Sequence, residues 1–398
     1  MSQTDDFTRL HAAFDIDDAV FAERFEDVLD HLVAKCPVAH STIGPTGGYH
    51  AFNRYRDVRR AGQDWRTFSS SDGWMMDPPA GNLKIIPEDT DPPSHSEWRR
   101  VLNPYFTAEA CTALEPHARA YAAALVARFA ERGECEFVSD FAAQLPGLIL
   151  FKHILPVPVE DLPAMFKDID LYSFGPLAGR VDAFGRVYTY LQKFLGERAQ
   201  QPPQHDLVDV LLAGVDRVGA PCPWDDKVHT ALDVVFGGLA TTTHAMSGAV
   251  YELAVKPEVR QALATAPTHM RTAVEETVRL YAPVVAVGRT VRADTELGGV
   301  ALKAGARVAL NYAAASRDPE VCSNPQKFDI HRQEVVHTAF GVGPHRCLGE
   351  HLARVEIRIA IEEFLKRIPE FELRPGTRPQ YESGQLRTMK NLYLRWPL

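Results

Sequence analysis

The chain has 398 residues, 45% of them hydrophobic, and a formal net charge of −9, a composition that buries a large core without covalent staples. An acidic chain with no basic run interleaved with aromatic residues gains nothing from a phosphate backbone, which argues against nucleic acid as a partner. The six cysteines (Cys36, Cys111, Cys135, Cys222, Cys322, Cys347) form no Cys-x-x-Cys pair, which excludes zinc ribbons and redox dithiols and reads as reduced intracellular thiols.

Residues 1–27 are acidic and polar, without a basic leader or an apolar leader core, and no later run is long enough to span a bilayer; a cytoplasmic protein without membrane anchor is expected. Helical periodicity predicts an Ala-rich amphipathic stretch from Pro104 to Arg132, closed by Gly133, then helices over Asp161–Phe174, Ala183–Ala199 and Asp206–Val215. Pro202-Pro203 interrupts this run, and Gly219-Ala220-Pro221-Cys222-Pro223 marks a loop. Asp225 to Val255 reads as one long helix, apolar all round in its middle and so buried, ending at Lys256-Pro257. Another helix runs from Thr268 to Leu280 and stops before Pro283. From Val284 to Ala315 the period changes to alternation, with turns at Gly298-Gly299 and Gly305, predicting a small antiparallel sheet. A last long helix covers Leu348 to Arg367, with short strands near Glu372 and Asn391. Without linker, repeat or low-complexity tract, residues 1–398 are expected to form a single domain, mainly α with a small antiparallel β region.

The most informative stretch is Phe340-Gly341-Val342-Gly343-Pro344-His345-Arg346-Cys347-Leu348-Gly349. Its glycines permit tight turns and close approach of the main chain to a flat ligand. Cys347 follows at the start of the predicted last helix, where unpaired N–H groups and the positive end of the dipole favour a thiolate over a thiol. Such a thiolate is a suitable axial ligand for haem iron, pushing electron density that favours O–O cleavage.

This stretch resembles the haem-binding loop of the cytochrome P450 family, Phe-Gly-x-Gly-x-His/Arg-x-Cys-x-Gly, at every fixed position. The resemblance runs from about Asp57 to the C-terminus and is closest to soluble bacterial members of the camphor-hydroxylase kind, through Val336–Gly341, Cys347–Arg354, Arg367–Phe371 and Gly237-Gly238-Leu239. It implies that family's triangular helical prism, with haem b held between the long central helix and the cysteine-loop helix. Cys347 is then the implied iron ligand, with Phe340, His345 and Gly349 against the cofactor. Glu276 and Arg279 match the family's Glu-x-x-Arg, a buried pair joined by Arg332. His95, Arg99, Arg289 and His345 are the implied partners of the haem propionates, carboxylates that need cationic or donor groups.

Gly237 and Gly238 sit mid-helix at a cost of about 1 kcal/mol each; the family's reason is that small residues let the helix pass close over the iron. Thr241 aligns with the family's oxygen-activating threonine. The acid that usually precedes it is replaced by Ala240, which leaves three alternatives: water or substrate supplies protons, His244 substitutes one turn on, or the chemistry is not ordinary hydroxylation. Trp74, Met75, Leu83, Ile85, Phe174, Leu239, Val284, Val285 and Met389 are pocket candidates by resemblance, mostly apolar, and suit a hydrophobic organic substrate. Leu83 stands where camphor hydroxylase uses a tyrosine to bind its substrate's ketone, which argues against camphor.

No flavin domain and no cluster-type cysteine spacing is legible, so an external ferredoxin and ferredoxin reductase are the expected electron source. Arg346, His351 and Arg354, with Arg99 or Arg100, are candidates for a basic docking patch. The resemblance thus implies a monomeric enzyme that uses O2 to hydroxylate, or remove an O- or N-alkyl group from, a small hydrophobic molecule. Two alternatives stand beside it: a peroxide-driven or non-hydroxylating haem-thiolate enzyme, suggested by Ala240, and a non-catalytic haem module for gas sensing or electron transfer.

Overall fold

The structure is a computed structural model that describes residues 14–42, 47–76, 84–174, 177–215 and 221–398. The acidic N-terminus up to Ala13, the pocket candidate Leu83, and the beginning of the loop at Gly219-Ala220 lie outside the described residues.

Helices dominate and follow the apolar periodicity. Leu177–Arg198 starts a turn and a half before the predicted Ala183. It buries Ala183, Phe184, Val187, Leu191 and Leu195, one stripe at helical spacing, and packs on Leu162–Phe174. The stretch predicted over Pro104–Arg132 divides into Ala108–Ala113 and Glu115–Ala127. Pro116 lies in the first turn of the second piece, where its missing N–H costs nothing.

Asp225 to Val255 is two helices, not one: Trp224–Gly237 and Ala240–Val255, separated at Gly238-Leu239. Leu239, at φ −114° and ψ −73°, departs by tens of degrees from regular helix values. The adjacent glycines weaken the ladder, and side chains take over part of it: Thr241 Oγ1 donates to Gly237 O at 2.9 Å and Thr243 Oγ1 to Leu239 O at 3.0 Å. The second helix is buried on nearly all sides, as its apolar run predicts.

Ala286–Val291 and Arg307–Asn311 pair antiparallel, with Arg289 opposite Val308. The sheet is larger than predicted. Tyr49–Phe52 adds parallel to Arg307–Asn311, Val38–Ser41 pairs with Tyr49–Phe52, and Phe68–Ser69 closes the other edge. Strands of two to four residues are too short to show a period, so only the tertiary pairing reveals them. A second apolar cluster (Phe52, Val58, Phe68, Val287, Val291, Leu310) packs beside this sheet, apart from the larger helical core.

The last long helix, Glu350–Arg367, packs on both Glu115–Ala127 and Ala240–Val255 and so sets the cysteine loop against the broken central helix. Among the described residues no helix is long and apolar enough to cross a membrane.

Candidate active site

The loop before the last helix is folded by its own backbone. Gly341 N–H donates to Thr338 O at 2.7 Å, and Cys347 N–H donates to Phe340 O at 2.7 Å. Thr338 Oγ1 anchors the turn on Tyr312 O at 2.9 Å. Gly343 takes φ +74°, and a Cβ there would lie 2.1 Å from Gly62 O on the helix Tyr55–Gln63, so any side chain would push the loop off its support.

This fold puts Cys347 deep inside the protein with its side chain accessible from an internal cavity. The helix begins three residues later than the cysteine, at Glu350. Its N-terminus does not by itself make a thiolate: burial pushes the Cys347 thiol up to about 11, against the opposing pull of the Gly349 N–H and the Arg99 charge. A coordinated metal cation is the agent able to deprotonate such a thiol.

The cavity has a volume of about 280 Å³. Phe340, Cys347, Leu348, Gly349 and Ala353 form one part of its wall, and Gly237, Gly238, Thr241, Thr242 and Ala245 another. A Cβ at Gly237 would meet nothing within 4 Å, so that glycine preserves open space and relieves no clash. Of the apolar pocket candidates, Trp74, Ile85 and Val284 line the cavity. Met75, Leu239, Val285 and Met389 are buried in the core away from it, and Phe174 lies 5.8 Å from the Lys390 ammonium. Ala240, between Leu239 and Thr241, does not reach the cavity wall.

Donor groups gather at another part of the site. His95, Arg99 and His345 line the cavity, and Arg289 stands beside them, its Nη2 3.9 Å from Glu88 Oε1. The His95 and His345 rings lie 4.2 Å apart, and His345 Nε2 meets Ser70 Oγ at 3.1 Å. The His95 Nδ1 is buried without a hydrogen-bond partner, and the His345 Nδ1 has only Glu88 Oε2 at 3.8 Å. Burial, with repulsion from His345 and Arg99, lowers the His95 pKa to about 3. Burial works the other way on Glu88, but His345, Arg289 and His95 together hold its carboxyl at about 2. An orphaned imidazole nitrogen and two guanidinium groups call for an anionic, multi-acceptor partner. Together with a cysteine sulfur opening on a glycine-widened cavity, they fit haem and its two propionates.

Behind the site, Arg279 and Glu276 form a fully buried pair, Nε to Oε1 at 2.6 Å and Nη2 to Oε2 at 3.0 Å. Arg332 Nε donates to the same Oε1 at 3.0 Å, and Arg279 also donates to Pro325 O and Lys327 O at 2.6 and 3.0 Å. This network clamps the segment that leads into the cysteine loop.

His244 faces away from the cavity. Its Nδ1 accepts the Met389 N–H at 3.0 Å, and burial lowers its pKa to about 3, so it is a neutral acceptor inside the core. The proposed relay through His244 is thereby removed. The expected basic patch is largely neutralised: Arg346 pairs with Glu350, and Arg354 with Glu275 and Glu350, at 2.6–2.8 Å. Arg100 and His351 remain exposed.

Several lining residues were not legible as site residues from the sequence: Glu88, Tyr172, Asp233, Phe236 and Glu356. Burial pushes the Glu356 carboxyl up to about 8, and its Oε1 has no partner. Asp233 did leave a signal, since it stands four and eight residues before Gly237 and Thr241 in an otherwise apolar run.

A mainly helical fold whose buried cysteine loop faces a glycine-opened helix, with propionate-type donors around the same cavity, defines a haem-thiolate protein. Comparison with known proteins gives that class its name. The sequence profile described as Cytochrome P450 matches residues 149–266 and 268–394, and the chain belongs to the cytochrome P450 family. It is 31% identical over 350 residues to the probable cytochrome P450 127A1 of Sinorhizobium fredii, covering 88% of this chain and 84% of that one. It is 34% identical over 337 residues to the steroid C26-monooxygenase of Mycobacterium tuberculosis, covering 82% and 88%. The crystal structure of CYP101J2 superposes with a TM-score of 0.79 at 30% identity, covering 91% and 92%. The chain is accordingly a cytochrome P450 monooxygenase, and its family's cofactor is haem with a cysteine-ligated iron.

Proposed function

We propose that Cys347 supplies the axial thiolate, and that the enzyme hydroxylates, or removes an O- or N-alkyl group from, a small organic molecule held among Trp74, Ile85, Val284 and Phe236. Electrons come from an external ferredoxin and its reductase. The observation that carries this reading is the shared cavity: the Cys347 side chain and the Gly237–Thr241 segment border one enclosed space, with His95, Arg99 and His345 at its edge.

When bound, haem supplies the iron at which O2 is activated. The protein's own groups do the rest. His95, Arg99, Arg289 and His345 would neutralise and orient the propionates. The Gly349 N–H would donate to the Cys347 sulfur and moderate its basicity. Apolar side chains exclude bulk water, which protects reactive species and strengthens the electrostatics inside. The Thr241 hydroxyl, which closes on Gly237 O, can turn to hold a water in the cavity. With Ala240 beside it and His244 turned away, that water and the substrate are the proton path.

The decisive experiment is the reduced carbon monoxide spectrum of the haem-loaded protein, where the red-shifted band of thiolate ligation is expected and Cys347→Ala must lose it. Product analysis with NADH, ferredoxin reductase and ferredoxin, set against peroxide alone, separates the ferredoxin-fed monooxygenase from a peroxide-driven enzyme. Ala240 favours the second reading to the extent that peroxide alone sustains turnover.

A further inference from the structure

The helix Trp224–Gly237 and its continuation line the cavity with a row spaced by four, Asp233, Gly237, Thr241 and Ala245, flanked by Val234, Phe236, Gly238 and Thr242. Three of the four are small or carry a hydroxyl. The first is a carboxylic acid whose neighbours Leu232, Val234 and Val235 are buried apolar residues. Asp233 is enclosed by protein on every side but the cavity, and among the described residues its carboxyl has no hydrogen-bond donor and no ion-pair partner. Burial, with Glu88 and Asp89 nearby, pushes the Asp233 carboxyl up to about 8, so it holds a proton in the empty chamber and gives it up when a cation arrives to pair with it.

The surroundings specify what arrives. Glu88, also on the cavity wall, and Asp89, close behind it, are like charges near Asp233, with Arg99 the opposing one. Glu88 already faces Arg289 and His345, and Asp89 accepts the Trp74 and Ile85 N–H groups at 2.8 and 3.0 Å, so neither can serve Asp233 as a donor. With three acids against one guanidinium, the surroundings of Asp233 disfavour a further anion at that point of the wall. Aromatic residues complete the lining: Trp74, Tyr172 and Phe236, the last two stacked at 4.2 Å between ring centroids. Carboxylate and aromatic faces around one apolar chamber are the chemistry that recognises an organic ammonium, through Coulomb attraction and the ring quadrupoles.

We infer that the substrate is a lipophilic amine in its ammonium form, seated with its nitrogen against Asp233 and the aromatic group Trp74–Tyr172–Phe236. This deepens the proposed function and rests on it, since it takes the cavity beside Cys347 to be the substrate chamber.

The test uses the haem-loaded enzyme and two probes measured by titration calorimetry: decyltrimethylammonium, which has no lone pair to ligate iron, and its uncharged isostere with carbon in place of nitrogen. Asp233→Asn is expected to lower the preference for the cation, expressed as the ratio of the two dissociation constants, by about thirtyfold or more. Phe236→Leu, which leaves the carboxyl in place, is expected to lower the same ratio several-fold. An unchanged ratio in both variants, or no saturable binding of the ammonium by the wild type, overturns the inference. The carbon monoxide spectrum of the same preparation separates the two levels. Its thiolate signature present with an unchanged ratio sinks the ammonium alone, and its absence sinks the haem-thiolate reading beneath it.

Discussion

Arg279 and Arg332, 53 residues apart in the chain, converge on a single oxygen of Glu276, at 2.6 and 3.0 Å. The first of these bonds lies where water does not reach, for Glu276 and Arg279 are fully buried, while Arg332 is partly covered at the rim. Removing Arg279 leaves the buried Glu276 with only the Arg332 guanidinium and the Asp329 N–H, and empties the space the guanidinium filled. Arg279→Ala is expected to cost about 3–5 kcal/mol of stability and to yield protein that fails to retain haem. Denaturant unfolding and the haem-to-protein absorbance ratio check both outcomes. A variant with wild-type stability would show that the pair is dispensable.

Thr241 closes the break in the central helix through its bond to Gly237 O and borders the cavity. Thr241→Ala keeps the backbone space but loses the hydroxyl that would hold water. Product formation is expected to fall on the order of 10²-fold while NADH consumption falls less, and Thr241→Ser should restore most of the coupling. The ratio of product to NADH consumed, measured for each variant, decides this.

His244 serves the fold. Loss of its acceptor in His244→Ala strands the Met389 N–H and is expected to cost about 1–3 kcal/mol, with ligand affinity and coupling unchanged. It also makes stability depend on pH. Its folded pKa of about 3 lies below the ordinary 6.5, so the unfolded chain binds the proton first as pH falls. The contribution is complete above pH about 6.5 and is lost on acidification towards 3, at up to about 1.4 kcal/mol per pH unit. Across that window the unfolding free energy of wild type relative to His244→Asn should fall steadily as pH drops.

Redox docking divides the arginines near the cysteine loop. Arg354 is held by Glu275 and Glu350, whereas Arg100 is exposed and, among the described residues, in no ion pair. Arg100→Glu is expected to slow ferredoxin-driven turnover about tenfold at low salt, with the difference shrinking as salt rises. Peroxide-supported turnover should be untouched. A reversal at Arg100 that leaves the ferredoxin-driven rate unchanged at low ionic strength would place the docking face elsewhere.

What the sequence could determine was local. The ten residues from Phe340 to Gly349 are legible because backbone turns and a ligand's approach depend on neighbours a few positions away, and Glu276 with Arg279 because three residues bring two side chains to one helix face. The dominance of helix followed from periodicity, which each segment carries within itself. Only the tertiary structure decided matters that join distant segments. It broke the central helix at Gly238-Leu239, where side-chain hydroxyls compete with the ladder, and gave the sheet strands too short to show a period. It turned His244 into the core, tied Arg346 and Arg354 to glutamates, and put Asp233 and Glu88 on one cavity wall from positions 145 residues apart. Direction and convergence of side chains arise from packing, and packing is a property of the whole chain that no single stretch of it contains.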